Sequence, residues 1–440
     1  MMKQLYRFYI STKTGSCLKL QKIILSIFLA ALMFPDGLFA QTASDSTDTR
    51  VMIEYRPRAE FKSGYKTPHT TDDKIAYTMS HRADLTFRHR REKAEVYFTF
   101  RNADIWGDNN NRMPELFEAW AEYSFAKYFT IRAGRQRLML DNERLIGQKN
   151  WTQEGISHDV IQLFIKMKKF ESSLISGFNQ RTSSLSGTSY PWQDVFNYKQ
   201  IHILNFQIPI SEQFTFSSLN IAESFELPCG REVFRYTNGG RLTFSKKLLT
   251  TTVNAYYQHG RNPSDIAVNA WYANPEIGFK AFSLLNIRGG AEIFSGSPDG
   301  ISDLGKSFST LYGNGHKFNG HMDYFTSFPA HHKGFGLINP YLMLNVKIKN
   351  NLTLGCDFHT FHAMHPPKYL QTTQSKYLGF ENDLTLTKKL NSFSDLLVGI
   401  AYALPTQSFL NMKGKPAGKD LQYFTYMMLT VKPSIFAQKR

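Results

Sequence analysis

The sequence has little cysteine, and it has no long apolar run after its first 40 residues. Its 440 residues include only three cysteines, Cys17, Cys229 and Cys356. Thiols this few and this far apart cannot form the disulfide framework that holds many exported domains together. No later apolar stretch reaches the roughly 20 residues that a membrane-spanning helix needs. The sequence therefore excludes a disulfide-dense scaffold and a helical membrane protein.

Linkers are also missing from most of the chain. No stretch rich in proline, glycine or serine divides residues 51–440, although a chain of this length would ordinarily form two or three soluble domains. Only residues 41–49 are linker-like. We therefore predict one domain over 51–440, preceded by a short periplasmic segment at 41–50.

The amino terminus has the parts of a secretory signal peptide. Basic residues without any acidic residue occupy 1–22, an apolar run follows from 23 to 34, and Ala40 offers a cleavage point. A basic region, a short apolar region and a small residue at the cleavage site are typical of such a leader. The apolar run is too short to span a membrane as a helix. We predict that residues 1–40 are removed on export to the bacterial outer membrane.

Apolar and polar residues alternate along the mature chain. In residues 51–62 the odd positions are Val51, Ile53, Tyr55, Pro57, Ala59 and Phe61, whereas the even positions are Met52, Glu54, Arg56, Arg58, Glu60 and Lys62. Residues 93–101 and 117–125 repeat this period of two. A helix would scatter these charges around its circumference, so the pattern predicts strands.

The spacing of these segments distinguishes a barrel from a soluble sandwich, which also alternates. About 18 segments begin near residues 51, 76, 93, 116, 128, 158, 169, 198, 213, 231, 248, 266, 283, 337, 351, 376, 395 and 421. Long and short connections alternate between them, as in outer-membrane barrels. Phenylalanines beside the short connections suit an interfacial aromatic belt. The sequence predicts an all-β fold, a transmembrane up-and-down antiparallel β-barrel of about 18 strands, with long extracellular loops and short periplasmic turns.

Strand parity places a mixed but arginine-rich set of side chains inside the barrel. The predicted pore-lining residues are Arg56, Arg58, Arg82, Arg88, Arg132, Arg241, Arg288, Glu54, Asp84, Glu118, Glu122, Glu381 and Asp383. Arginine presents a planar fork that pairs with carboxylates. Such a ladder could pass a polyanion from site to site, or its ion pairs could simply brace a wide barrel. Both interpretations remain open at this point.

Residues 128–165 carry a resemblance to a known family. The motif residues are Gly134, Arg135, Gln136, Arg144, Gly147, Trp151 and Asp159, and two further blocks lie at 311–325 and 378–383. Together they resemble the alginate export family of outer-membrane porins. The resemblance implies an 18-stranded barrel that exports an acidic uronate polymer through an arginine-rich lumen. Ile156 stands where that family would lead us to expect an arginine, and Asn382 stands where parity requires an apolar residue.

The main functional hypothesis is therefore a channel for an anionic, uronate-type polysaccharide, with export as the expected direction. The alternative is a specific or general uptake porin for anionic small solutes. An outer-membrane enzyme is the less favoured alternative, because consecutive Ser157, His158 and Asp159 point apart in a strand and cannot form a triad. We expect no catalysis and no cofactor. The 295–336 loop is the candidate for a constriction, because its length exceeds what a hairpin needs.

Metal sites are weakly indicated. His359, His362 and His365 have the spacing of metal ligands on one face of a helix. The pattern instead predicts that a strand ends at His359 and that a loop follows, so we expect loop hydrogen bonding rather than metal ligation. Residues 107–111 hold a single acid, Asp108, and are interpreted as a loop tip rather than a calcium site. The expected partners are an anionic polysaccharide or oligosaccharide, outer-membrane lipid and lipopolysaccharide, and a periplasmic export machinery. We expect a monomer and no nucleic-acid partner.

Overall fold

The structure is a computed structural model that describes residues 46–109, 112–191, 197–282, 284–370 and 372–439. The predicted signal peptide, residues 1–40, lies outside these ranges. So do residues 41–45 of the predicted periplasmic segment and the last two residues of the 107–111 loop tip. Within the described ranges, no helix is long and apolar enough to cross a membrane.

One antiparallel sheet closes on itself as an 18-stranded barrel. Strand β1 pairs with β2 on one side and with β20 and β21 on the other, and the last two are parts of a single strand interrupted at Pro433. The barrel strands are β1 (Thr47–Ser63), β2 (Ala76–Arg91), β3 (Ala94–Ile105), β4 (Glu115–Ala126), β5 (Phe129–Gln136), β6 (His158–Met167), β7 (Phe170–Phe178), β8 (Gln200–Pro209), β9 (Phe214–Glu226), β10 (Glu232–Lys246), β11 (Leu249–Arg261), β12 (Ala267–Ala281), β13 (Leu285–Phe294), β14 (Leu337–Lys349), β15 (Leu352–Ala363), β18 (Tyr377–Lys389), β19 (Ser394–Pro405), β20 (Gln422–Val431) and β21 (Ser434–Lys439). The predicted fold class is confirmed.

Small elements lie in the loops. A two-stranded ribbon joins β16 (Lys368–Tyr369) to β17 (Thr372–Thr373), and 3₁₀ turns occur at Gly300–Lys306, Gly315–Lys317 and Ala330–His332. Helix α1 (Gln407–Met412) begins after Thr406, whose hydroxyl oxygen accepts a hydrogen bond from the amide of Phe409 and so caps the helix.

The predicted alternation decides which side chains face outward. On β1, Tyr55 and Phe61 are exposed on the outer surface, whereas Arg56, Arg58 and Glu60 are buried within the barrel. A one-residue shift in pairing would exchange these two faces, so the apolar half of the pattern fixes the register. Strand β1 begins at Thr47 rather than at residue 51, and the other predicted starts agree with the observed ones within two residues.

Connections differ between the two ends of the barrel. One end, which we call the short-turn rim, has eight tight turns, and the other, the long-loop rim, carries the extended connections. Two connections on the long-loop rim, 227–231 and 262–266, are themselves short. Phenylalanine rings pair across neighbouring strands beside the short turns, with ring centroids 5.9 Å apart for Phe125 and Phe129 and 4.9 Å apart for Phe214 and Phe244. The predicted aromatic belt lies at this rim.

Two long loops fold into the barrel. Residues 137–157, the β5–β6 loop, and residues 295–336, the β13–β14 loop, together contribute many of the buried apolar side chains, and we call them the inner loops. Leu145 and Ile146 of the first loop belong to one apolar cluster with Ile203 and Ile221, which face inward from β8 and β9. An apolar patch on the inner wall therefore holds a loop that would otherwise face water. The predicted inward folding of 295–336 is confirmed.

Two local predictions need correction, and one departure from the pattern is explained. Alternation over 117–125 predicts that Phe117 faces outward, but a bulge between β3 and β4 turns it inward, where it is 4% exposed, and leaves Leu116 38% exposed. Strand β15 continues to Ala363 instead of ending at His359. Asn382 lies on the outer face, as parity requires, without disturbing the register. Its side chain is buried there, and its amide donates to the carbonyl oxygen of Asp357 at 2.9 Å.

Candidate functional site: the narrowed lumen

Three arginines on β1 and β2 bind the backbone of an inner loop. Parity directs Arg56, Arg58 and Arg82 inward, and all three are buried. Arg56 donates to the carbonyl oxygens of Asn150 at 2.7 Å and Thr152 at 2.8 Å. Arg58 donates to the carbonyl of residue 151 at 2.6 Å, and Arg82 donates to that of residue 153 at 2.6 Å. These guanidinium groups fix the segment 150–153 against the wall.

Carboxylates compensate this cluster only in part. Glu60 lies 3.1 Å from the Nε atom of Arg58, whereas Glu54 approaches Arg82 only to 3.7 Å and also pairs with Lys432 at 3.1 Å. Backbone carbonyl oxygens therefore accept many of the hydrogen bonds that the arginines donate, and they leave the positive charge of the guanidinium groups in place. At this wall the three guanidinium groups outnumber the two carboxylates paired with them.

Arg101 forms the next contact along the wall. Its guanidinium pairs with both oxygens of Asp84, at 2.8 and 2.6 Å, and donates to the carbonyl of Glu154 at 2.7 Å. The ring of Phe117 lies 3.5 Å from its guanidinium carbon. The β4 bulge thus brings an aromatic face under a buried cation.

The two inner loops meet at a buried ion pair. Arg144 donates to Glu292 of β13 at 2.7 Å and to the side-chain oxygen of Asn319 at 2.8 Å. Rings of Phe294 and Phe318 lie 4.7 and 4.5 Å from its guanidinium carbon. One side chain therefore joins both loops to the wall.

A chain of aromatic and titratable groups continues across the lumen. Asp323 accepts hydrogen bonds from Tyr65 and lies 2.6 Å from the Nδ1 atom of His316. Trp151 stacks on the His316 ring with centroids 3.7 Å apart. Burial alone would raise the pKa of Asp323, but His316 and these hydrogen bonds hold it below its usual value. Burial lowers the pKa of neighbouring His321 to about 4. Through these contacts Asp323 joins Tyr65, which follows β1, to His316 within the 295–336 loop.

The predicted acidic residues on β18 bind the same loop. Glu381 accepts from the amide of Met322 at 2.7 Å, and Asp383 accepts from the amide of His321 at 3.1 Å. Both carboxylates are fully buried. They position the 295–336 loop and do not face open solvent.

Four predicted arginines near the short-turn rim are less buried than their partners. Arg88 pairs with Glu95 at 2.8 Å, Arg132 with Glu122 at 2.6 Å, Arg241 with Asp141 at 3.2 Å, and Arg288 with Glu276 at 3.6 Å. Arg241 is 31% exposed and Asp141 is 6% exposed, and the values for Arg288 and Glu276 are 42% and 22%. Each pair therefore turns its cation toward the solvent of the lumen.

A cleft of about 270 Å³ opens near the long-loop ends of β1, β2 and β3. Lys62 and Lys66 lie beside the ring of Tyr65, with ammonium-to-centroid distances of 5.6 and 5.2 Å. The other lining residues include Arg58, Glu60, Thr78, Ser80, Asp104, Arg112, Trp151, Thr152 and Glu154. The cleft is small, charged and placed above the arginine cluster of β1 and β2.

The residues of the family motif do not form one site. Arg135 and Asp159 pair with each other at 2.9 Å, and each side chain is about half exposed. Gln136 is buried and donates to the carbonyl of Val160 at 3.2 Å. Gly134 has φ +125°, and a Cβ atom there would lie 2.2 Å from a backbone oxygen.

The remaining motif and acidic residues hold the inner loop. Gly147 donates its amide to the carbonyl of Tyr312 at 3.2 Å, which joins the two inner loops. Glu118 pairs with Arg137 at 2.8 Å, at the start of the 137–157 loop. Sequence reasoning missed Asp141, Tyr65 and Asp323, because loop residues carry no strand parity from which their direction could be inferred.

His359 and His362 of the predicted trio do not converge on one site. His359 is buried inside the barrel near Asn339, whereas His362 packs against Tyr377. In the part of the chain that the structure describes, no group of three or more histidine, cysteine or acidic side chains is arranged to hold a metal ion. Cys229 and Cys356 are unpaired thiols.

The architecture is that of a closed 18-stranded barrel whose lumen is narrowed by loops from the long-loop rim. Solved structures share this fold. Pseudomonas aeruginosa OccD3 (OpdP) is similar with a TM-score of 0.58 and 11% identity, over 88% of this chain and 92% of that one. Acinetobacter baumannii OccAB1 is similar with a TM-score of 0.58 and 11% identity, over 90% and 98%. The Pseudomonas aeruginosa OpdK structure with vanillate gives a TM-score of 0.57 and 8% identity, over 89% and 99%.

Sequence comparison adds no family. No protein-family model matches the chain, and no curated protein matches it significantly. Similarity at this level of identity shows the fold alone. The resemblance to the alginate export family stays a prediction.

Proposed function

We propose that this chain is an outer-membrane porin for the uptake of small anionic solutes. The observation that carries the proposal is the set of four ion pairs near the short-turn rim, in which the guanidinium group is more exposed than the carboxylate. A solute in the lumen meets cations first. Arginine forks bind carboxylates through paired, charge-assisted hydrogen bonds.

The inner loops support a small solute over a long polymer. They place a buried apolar cluster and the Arg144–Glu292 ion pair where an open barrel would hold water. The cleft of about 270 Å³ matches the volume of a small organic molecule more closely than that of a polysaccharide chain. Pore selectivity depends on such constrictions and on the charges that surround them.

The position of the cleft supports uptake. It opens beside the long-loop rim, which faces the outside in an outer-membrane barrel. A solute captured there would pass the β1–β2 arginine cluster before it reaches the exposed guanidinium groups. The vanillate named for OpdK is a small aromatic carboxylate, which supports an organic anion as the solute of this chain.

Planar-bilayer recording tests the proposal. The mature protein should insert and conduct anions in preference to cations, and a small carboxylate such as glucuronate should reduce the chloride current reversibly. Glucose, which has no carboxylate, is the matched control solute. Cation selectivity together with equal effects of glucuronate and glucose would contradict the proposal.

Export of a uronate polymer is the second candidate, and the motif residues around Arg144 and Trp151 favour it. In that case a periplasmic export machinery would be a partner. Oligouronates of increasing length distinguish the two candidates in vesicles loaded with each oligomer. Uptake of small solutes predicts that permeation stops after a few sugar units, whereas polymer export predicts passage of long chains.

The proposal includes no catalytic step and no cofactor. We propose a monomer with its long loops toward lipopolysaccharide. Labelling of single cysteines on intact cells by an impermeant reagent tests the orientation. A cysteine in place of Gly187 on the β7–β8 loop should react, and one in place of Lys127 in the β4–β5 turn should not.

A further inference from the structure

Basic side chains surround the short-turn rim. Every short turn except the one between β8 and β9 carries lysine or arginine at the turn or within three residues of it. We call this set the lysine collar: Arg90, Arg91, Lys93, Lys127, Lys166, Lys168, Lys169, Lys246, Lys247, Lys280, Lys347, Lys349, Lys388 and Lys389. The acidic residues at the same rim are fewer: Asp48, Glu92, Glu95, Glu171, Glu212 and Asp395.

Most of the collar has no carboxylate partner. Arg90, Arg91 and Lys166 each lie within 4 Å of a glutamate. For the other members, no carboxylate among the described residues lies within that distance of the ammonium group. At the long-loop rim, cations such as Arg135 and Lys317 do face carboxylates, at 2.9 and 3.0 Å. Within the described ranges, unpaired lysines such as Lys74, Lys376, Lys415 and Lys419 also occur at the long-loop rim, but at the short-turn rim basic side chains form a band beside nearly every turn.

Large apolar side chains lie among these cations. Phe282 is 89% exposed, and Ile210, Leu390 and Phe393 are also exposed at the same rim. The ammonium group of Lys127 lies 5.1 Å from the ring centroid of Tyr128. Apolar side chains that enter a bilayer beside lysines that extend toward water are typical of the headgroup region.

We infer that the lysine collar binds the phosphate-bearing headgroups of anionic phospholipids in the leaflet at the short-turn rim. The inference depends on the proposed function only in requiring that the barrel spans a membrane. A phosphatidylglycerol headgroup has a net negative charge, whereas the ammonium group of a zwitterionic headgroup compensates its phosphate. Each basic residue near an anionic membrane surface contributes about 1 kcal/mol. The collar should therefore select phosphatidylglycerol over phosphatidylcholine.

Lipid association around the reconstituted mature barrel tests this inference. The membranes contain equal amounts of phosphatidylglycerol and phosphatidylcholine, and spin-labelled analogues report the relative association constants. The wild-type barrel should prefer phosphatidylglycerol by about fivefold at low salt, the equivalent of one basic residue at the surface. High salt should reduce this preference by screening.

Two variants with equal loss of charge locate the effect. The collar variant is K168Q/K169Q/K246Q/K247Q, and the control variant at the long-loop rim is K74Q/K376Q/K415Q/K419Q. The collar variant should have a measurably lower preference than the wild type, and the control variant should keep the wild-type preference. Equal association of both lipids with the wild-type barrel would overturn the inference and leave an acidic macromolecule as the partner of the collar. Equal loss in both variants would also overturn it, because the effect would then depend on total charge alone.

Ion selectivity in planar bilayers of the same lipids separates this inference from the proposed function. A barrel that selects phosphatidylglycerol but not anions contradicts the proposed function alone. A barrel that selects anions but associates equally with both lipids contradicts only the inference that the lysine collar binds anionic lipid.

Discussion

Arg144 of the β5–β6 loop and Glu292 of β13 form an ion pair, with a nitrogen-to-oxygen distance of 2.7 Å and side chains that are 1% and 2% exposed. Asn319 of the β13–β14 loop accepts from the same guanidinium group. Removing one partner would leave the other as an uncompensated buried charge, which is far more costly than losing an exposed pair. This contact therefore links the stability of the barrel to the position of both inner loops.

The first prediction is that Arg144→Met destabilises the barrel and widens the pore. Unpaired Glu292 should lower the free energy of unfolding by about 3–5 kcal/mol. Single-channel conductance should rise, because the inner loops lose their common attachment to the wall. Urea titration of the barrel in detergent and bilayer recording measure the two effects.

Two variants control this experiment. The double variant R144M/E292L removes both charges and should regain most of the lost stability, because well-packed apolar residues can replace a buried pair. Arg135→Met removes the exposed pair with Asp159 and should cost at most about 1 kcal/mol. Equal losses for Arg144→Met and Arg135→Met would contradict the assigned role of the buried pair.

The second prediction concerns anion selectivity. The triple variant R132Q/R241Q/R288Q removes exposed cations near the short-turn rim, so the ratio of chloride to potassium permeability should fall severalfold while insertion is retained. Reversal potentials in a salt gradient measure this ratio. The control is Arg135→Gln, which removes a cation from the outer face and should leave selectivity unchanged. An unchanged ratio in the triple variant would show that these groups do not set the potential of the pore.

Substitution of Arg56 by glutamate should have a different effect. Its guanidinium group binds the carbonyl oxygens of Asn150 and Thr152, so a carboxylate there would repel the loop that the arginine holds. We expect larger conductance as well as weaker anion selectivity. The contrast with Arg288→Glu, which faces solvent more openly, separates loop displacement from a purely electrostatic effect.

The barrel could be predicted from sequence because the pattern that specifies each strand lies within that strand and its adjoining connections. A period of two, repeated with alternating connection lengths, determines which residues of β1 face lipid and where strands begin. Phe117 shows the limit of this reasoning, because a bulge adds one residue and reverses the parity. Its contact with Arg101 depends on the partner strand, and no feature of residues 117–125 signals it.

The lumen was less accessible to prediction. Parity correctly placed Arg56 and Arg82 inside the barrel. It could not show that their hydrogen-bond acceptors lie in a loop 94 and 71 residues further along the chain, respectively. Asp141 and Asp323 lie on loops that lack any period, and their directions follow from tertiary packing. The sequence offered one indication that loops fold inward. Ile203 and Ile221 face the lumen, and an apolar patch inside a wide barrel requires a segment that covers it.

The third prediction is that Gly134→Ala strongly destabilises the barrel. Gly134 has φ +125°, and an added Cβ atom would meet the carbonyl oxygen of Ala119 at 2.2 Å. Backbone strain of this kind alone costs about 1–3 kcal/mol, and the clash adds to it. Gly278→Ala is the control, because its nearest neighbouring atom would lie 3.5 Å away. Folding yield into lipid vesicles, followed by the electrophoretic shift of the folded barrel, should fall for the first variant and not for the second.

The last prediction concerns Lys413, which follows helix α1 in the β19–β20 loop. Its ammonium group donates to the carbonyl oxygens of Tyr324 at 2.8 Å and His331 at 2.9 Å, and thus joins this loop to the 295–336 loop. Burial, and to a smaller extent the nearby Lys333, lowers the pKa of Lys413 to about 7. In the unfolded chain the pKa returns to about 10.4.

Between these two pKa values the unfolded state binds more protons at Lys413 than the folded state does, so stability should rise with pH in that window. The penalty for burying the charged form is complete below about pH 7 and disappears above about pH 10.4. Lys413→Met removes the titrating group but keeps a long side chain against Phe325 and Phe409. The free energy of unfolding of the wild type, minus that of Lys413→Met, should therefore rise by up to about 1.4 kcal/mol per pH unit from pH 7 to 10. Urea titrations at several pH values measure this difference, and a constant difference across the window would show that Lys413 keeps an ordinary pKa in the folded loop.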